Sequence, residues 1–152
     1  MYSEIMFSPT ISCFQRSGKV YLGIAKGIPT MKALIVEDSA AFREMTRNML
    51  MARFPFMRIS DAANAVEALR ELARDCPDFI LMDIRLPGKN GLELTREIKA
   101  LYPRVAVIIL TSYDFPEYRE AAKRFGADYF LVKGTARTNE ILSSIDSIVS
   151  PE

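Results

Sequence analysis

Apolar residues fall along this chain in two alternating rhythms. Four short, continuous runs rich in branched or aromatic side chains, KALIV (32–36), FILMD (79–83), VAVIILT (105–111) and YFLVK (129–133), have the character of strands buried on both faces. A weaker strand is predicted near FMRIS (56–60). Between the runs, apolar positions recur at helical spacing: Phe42, Met45 and Met49 share one face, Leu94, Ile98 and Leu101 another, and Ile141, Ile145 and Ile148 a third. Asn64, Asn90 and Asp114 are each followed three residues later by a glutamate (Glu67, Glu93, Glu117), the spacing of a capping box that marks a helix start. Pro116 suits a first helical turn. Five strands alternating with five helices predict an α/β fold, a doubly wound five-stranded parallel sheet with helices on both faces and right-handed crossovers.

Regular patterning begins at Met31. The thirty residues before it contain three glycines and two prolines and hold neither period. They read as a dispensable N-terminal extension (1–30), or as the product of a start assigned upstream of Met31, with one domain over 31–150. A docking arm anchored by Phe7, Phe14 and Tyr21 is the competing reading. At 152 residues the chain fits one domain.

Composition narrows the chemistry. Twenty basic residues against nineteen acidic leave no electrostatic footprint for nucleic acid. No apolar run approaches the roughly 20 residues of a membrane span, and the first thirty residues lack the long apolar region of a secretory signal. The cytoplasm is therefore the expected compartment. Cys13 and Cys76 are far apart and without ligand spacing, which suggests neither a zinc site nor a disulfide framework. The absence of histidine removes the commonest general base and transition-metal ligand, so any chemistry must run on carboxylates, hydroxyls and lysine.

Those groups stand where an open parallel sheet forms its sites, outside the carboxyl ends of the strands. The first strand ends in Glu37 and Asp38, the third in Asp83, the fourth in Thr111 and Ser112, the fifth in Lys133. Three carboxylates on one rim repel one another unless one takes up a proton or a cation joins them. Oxygen-only ligands favour a hard ion, and Mg²⁺ is the natural choice. A metal beside a free carboxylate, a hydroxyl and a lysine is equipment for phosphoryl transfer. Asp83 is the best candidate nucleophile, because it ends a central strand ahead of the loop IRLPGKNG, whose Pro87, Gly88 and Gly91 permit a tight path. Lys133 would act as a point charge on one phosphoryl oxygen. Taken singly, each residue also has a plain structural reading: a helix cap at Asp38 or Ser39, a strand end at Thr111, a solvated surface lysine at Lys133.

The segments LIVEDS, LMDIRLPGKNGLEL, VIILTSYD and GADYFLVK together resemble the response-regulator receiver domain of two-component signalling, over residues 32 to about 149. The resemblance implies a flavodoxin-like fold of receiver type, with Asp83 as the phosphoacceptor for a histidine kinase or a histidine phosphotransfer protein. It implies that Asp38, Asp83 and the backbone carbonyl of Arg85 bind Mg²⁺, with Glu37 acting through water. Thr111 would be the switch hydroxyl, Lys133 the conserved-type lysine, and Phe130 the aromatic switch, for which plain core packing is the alternative. The output would be an unidentified downstream protein reached through the face around the fourth helix, last strand and last helix, where a homodimer is also compatible. Such a protein turns over no separate substrate and is not an enzyme in that sense. One departure stands out: the family usually follows its lysine with a cis proline, and here Gly134 follows Lys133. Transcription-factor receivers of this kind continue into a helix-turn-helix output domain, so the chain resembles a stand-alone receiver or a fragment.

Other classes fit less well. A Mg²⁺-dependent phosphohydrolase with an aspartate nucleophile would carry an acid two residues later, where this chain has Arg85. A flavin-binding protein would need an uncharged, N–H-rich turn after the first strand, where Glu37 and Asp38 lie. A receiver-fold interaction module that works without phosphorylation is the main alternative, although such modules typically lose an acid or the lysine.

Overall fold

The computed structural model describes residues 31–150; the predicted extension, 1–30, lies outside the described residues. Ten elements alternate without exception: β1 (Lys32–Val36), α1 (Ala40–Arg53), β2 (Arg58–Ala62), α2 (Ala65–Arg74), β3 (Phe79–Met82), α3 (Gly91–Leu101), β4 (Ala106–Thr111), α4 (Pro116–Arg124), β5 (Tyr129–Val132) and α5 (Thr138–Val149). The strands form one parallel sheet in the order β2-β1-β3-β4-β5, the predicted doubly wound architecture. The direction of winding reverses between β1 and β3, and that switch point sets where a site can form.

Successive side chains of a strand face opposite ways, so each apolar run feeds two cores. Leu34, Val36, Ile80, Met82, Val107 and Ile109 pack on one face of the sheet with α2, α3 and α4. Ala33, Ile35, Phe79, Leu81, Ile108 and Leu110 pack on the other with α1 and α5, against Leu50, Ile141 and Ile145. The central strands β1, β3 and β4 are buried throughout, which explains their unbroken apolar character.

Several sequence expectations shift in register. The weak strand begins two residues later than FMRIS, because Met57 N–H still closes a turn on Phe54 O and pairing starts only where Arg58 N–H reaches Met31 O. Met45 is 58% exposed; the inner face of α1 is Phe42, Thr46, Met49 and Leu50, and buried Thr46 satisfies its hydroxyl on Phe42 O at 2.8 Å. Leu101 is 47% exposed, and the next residue, Tyr102, takes the buried position instead. Asn64 and Asn90 cap α2 and α3 as predicted, but Asp114 caps nothing. Pro116, with its fixed φ and missing N–H, makes itself the first residue of α4, so Phe115 becomes the cap and Asp114 pairs with Arg119 at 2.5 Å. Cys76 is buried in the core beside α2, while Cys13 lies outside the described residues.

The start of α3 is pressed against the chain leaving β3. Asn90 accepts from Leu92 N–H and Glu93 N–H at 2.9 and 3.0 Å, and Gly91 N–H donates to Ile84 O at 2.8 Å. A Cβ on Gly91 would stand 2.0 Å from the Asp83 carbonyl oxygen, backbone that cannot yield. Gly91→Ala is expected to cost more than about 3 kcal/mol in urea unfolding and to displace Asp83. Gly88→Ala, where φ is +76° but the space is open, is expected to cost only about 1–2 kcal/mol; equal losses at the two glycines would contradict this account.

Candidate functional site

Parallel pairing carries the acids together. Val36 is in register with Met82, so the next residues of the two strands, Glu37 and Asp83, emerge side by side at the switch point. Both keep one more strand-like bond, Glu37 N–H to Ala62 O at 3.0 Å and Asp83 N–H to Val36 O at 2.9 Å, which fixes their backbones before the chain turns away. Glu37 is 4% and Asp83 6% exposed, while Asp38 faces solvent. Arg43, one turn into α1, donates to the carbonyls of Glu37 and Asp38 at 2.7 and 3.3 Å and braces the bend between strand and helix.

One carboxylate oxygen from each of Glu37, Asp38 and Asp83 lies within 4.8 Å of the others. Lys133, just past β5, reaches into this cluster, donating from Nζ to Glu37 Oε2 at 2.5 Å and Asp83 Oδ2 at 3.3 Å. Its own backbone N–H is tied to Thr111 O at 2.7 Å, so β4 and β5 deliver Thr111 and Lys133 together. Thr111 is fully buried, and its hydroxyl oxygen accepts from Tyr113 N–H at 3.3 Å. Five of the six strand-end groups named from sequence, Glu37, Asp38, Asp83, Thr111 and Lys133, therefore sit on one rim, while the sixth, Ser112, turns to solvent.

Gly134 does not disturb the lysine. It takes φ +86°, and Thr135 and Ala136 close a turn on Val132 O at 3.3 and 2.8 Å. Every peptide bond among the described residues is trans. A glycine in the left-handed region thus bends the chain after Lys133 without a proline. Phe130 is half-buried against the core that α2, α3 and α4 cover, with the Arg119 guanidinium 4.7 Å from its ring centroid. Arg85, two residues beyond Asp83, places its guanidinium 4.4 Å from the ring centroid of Tyr113 and so joins the β3 and β4 loops.

Two contacts were not legible in the sequence. Ser39, read only as a candidate cap, also donates its N–H to Glu37 Oε1 at 3.1 Å while capping α1 through Phe42 N–H. Phe42, read as a core residue, lies with its ring centroid 3.9 Å from Lys133 Nζ. Nothing in the local pattern pairs a helix residue with a lysine so far along the chain.

Burial pushes the Glu37 carboxyl above its ordinary value of 4.5, and the neighbouring Asp83 charge adds to the push; the bonds from Lys133 and Ser39 N–H oppose it without cancelling it. A single lysine against three carboxylates leaves the rim short of positive charge. This donor set, all oxygen and partly desolvated, fits a hard divalent cation, and it is the one such acidic group among the described residues. No helix among them is long and apolar enough to cross a membrane.

A doubly wound parallel sheet with an acidic pocket at its switch point and a lysine reaching in from the last strand defines a receiver-type α/β protein. The response regulator receiver domain model matches residues 33–146, and the chain belongs to that family, the receiver domains of two-component response regulators. Among curated proteins it is 34% identical over 119 residues to the response regulator MprA of Mycobacterium leprae, covering 78% of this chain and 51% of that protein. It is 32% identical over 103 residues to the transcriptional regulatory protein DegU of Brevibacillus brevis, covering 68% of this chain and 44% of that one. The chain thus spans about half the length of these relatives. Among solved structures, a CheY-like receiver domain protein from Methanospirillum hungatei superposes with a TM-score of 0.71 at 28% identity, over 78% of this chain and 92% of that one. A two-component response regulator of the LuxR family from Aurantimonas gives a TM-score of 0.73 at 28% identity, over 79% of this chain and 85% of that one.

Two outcomes follow from the charge balance. Because the folded state holds the Glu37 proton more tightly than the unfolded one, Glu37 contributes stability below pH 4.5 that is lost as the pH rises through its raised value. The melting temperature of Glu37→Gln relative to wild type, in chelator, should move in the variant's favour as the pH climbs from 4.5 toward neutrality; a pH-independent difference would refute this. Mg²⁺ at a hundredfold excess over its Kd should stabilise the wild type by about 2.7 kcal/mol, on the order of 10 °C in Tm, and Asp38→Asn or Asp83→Asn should abolish the shift.

Proposed function

We propose that this domain is a phosphorylation switch in which Asp83 accepts a phosphoryl group from a histidine kinase or a histidine phosphotransfer protein. The observation that carries the reading is the placement of Lys133 Nζ between Glu37 and Asp83, with Asp38 alongside. An Asp83 oxygen attacks phosphorus, the bond from phosphorus to the donor's imidazole nitrogen breaks, and the imidazole departs, leaving an acyl phosphate on Asp83. Glu37, Asp38 and Asp83, with the Arg85 carbonyl, would hold Mg²⁺, which when bound offsets charge on the phosphoryl oxygens. Lys133 offers its ammonium to one of those oxygens and gives up part of its hold on Asp83 to do so. The buried Thr111 hydroxyl donates to another, and the β4–α4 loop follows it through Tyr113 N–H.

The output is a shift between two conformations, biased by the contacts the phosphoryl group makes in one of them. Phe130, on β5 with the Arg119 guanidinium of α4 over its ring, would relay the change to the surface of α4, β5 and α5, where a downstream protein would read the state. In this reading the domain turns over no separate substrate, works in the cytoplasm, and contacts neither nucleic acid nor membrane directly.

Intact mass after incubation with Mg²⁺ and acetyl phosphate tests the proposal. Wild type is expected to gain the mass of one phosphoryl group, and chelation or Asp83→Asn to prevent the gain. No gain under any condition would overturn the phosphoacceptor role and favour a module that works unphosphorylated.

A further inference from the structure

Lys133 carries a flexible four-carbon stem, and an ammonium on such a stem has many places to go. Two carboxylates hold it from one side, Glu37 Oε2 at 2.5 Å and Asp83 Oδ2 at 3.3 Å. The third contact comes from a helix that supplies no group to the chemistry: the Phe42 ring, its centroid 3.9 Å from Nζ. At that distance a ring face attracts the ammonium through its quadrupole, and more strongly where water is displaced. Water is scarce here, since the Lys133 side chain is 13% exposed and Phe42, Glu37 and Asp83 line one narrow crevice with Thr46 and Leu110.

The backbone of Phe42 is held on both sides by side chains. Its N–H donates to Ser39 Oγ at 3.3 Å, and its carbonyl accepts from Thr46 Oγ1 at 2.8 Å. Ser39 N–H in turn donates to Glu37 Oε1. The contacts close into a ring: Lys133 to Glu37, Glu37 to Ser39, Ser39 to Phe42, and Phe42 back to Lys133. Each member touches two neighbours, and the ammonium stands 3.3 Å from Asp83 Oδ2.

We infer that Phe42 is a positioning residue for Lys133, using its ring face to hold the ammonium against Asp83 for phosphoryl transfer. This rests on the phosphoacceptor reading of Asp83. The ring does not touch the phosphoryl group; it limits where Lys133 can retreat when a phosphoryl oxygen replaces one of its carboxylate partners.

The test replaces Phe42 with mono-, di- and trifluorophenylalanine, which weaken the ring quadrupole stepwise at nearly constant shape, and with leucine, which removes it. Rates of phosphorylation by acetyl phosphate with Mg²⁺ should fall with each fluorine and be about tenfold lower in Phe42→Leu. In the unphosphorylated protein, the Lys133 Cε protons should show an upfield ring-current shift that Phe42→Leu abolishes. A fluorine series with an unchanged rate, in protein that is phosphorylated normally, overturns the inference and leaves the phosphoacceptor role standing. If the wild type takes up no phosphoryl group, that role fails instead, and the ring-current shift decides alone whether Phe42 holds the lysine. Its absence overturns the inference as well.

Discussion

Everything at the working end of this domain depends on holding two buried carboxylates side by side against their own repulsion. Glu37 and Asp83 are adjacent because β1 and β3 pair in parallel with Val36 opposite Met82. Backbone hydrogen bonds fix the two residues where like charges would not otherwise stay, and the Lys133 ammonium bridges their carboxylates. Lys133 answers part of the resulting charge, and burial of Glu37 answers another part by favouring its proton. The remainder is an unmet demand for positive charge, which makes the rim receptive to a cation.

That constraint explains features elsewhere that have no chemistry of their own. The crowding of Gly91 against the Asp83 carbonyl brings the capped start of α3 directly against Asp83. Arg43 and Ser39 do the same from α1 for the two acids that follow β1. Among the described residues no buried side-chain polar atom lacks a partner, so the site is held by satisfied bonds on every side except toward solvent. The elements farther from the rim, such as the Lys32 to Asp75 pair at the opposite end of β1, secure the sheet that makes this possible.

The strands and the rim were readable from sequence because central parallel strands must be apolar throughout, and the polar residue that ends each one is conspicuous. KALIV, FILM and AVIILT were found that way. The edge strand RISDA was blurred, because a half-exposed strand mixes charge with apolar residues. Helical spacing located faces but not their phase: it chose Met45 where the fold buries Thr46, a polar residue that satisfies itself on its own helix. Asp114 had the right partner three residues on and still failed as a cap, because Pro116 dictated where α4 could start. The stacking of Phe42 on Lys133 joins residues from the first helix and the last strand end, and no local pattern encodes such a meeting.

The order of the sheet leaves β2 and β5 as its two edges. A free strand edge invites another strand to add to it, and through it aggregation. Here β5 is only four residues long, and β2 carries Arg58 and Asp61, the latter paired to Arg47 at 2.5 Å. Both margins are therefore poor templates. In the proposed reading this leaves contacts with other proteins to side-chain surfaces and not to strand addition, and contacts of that kind are readily made and broken.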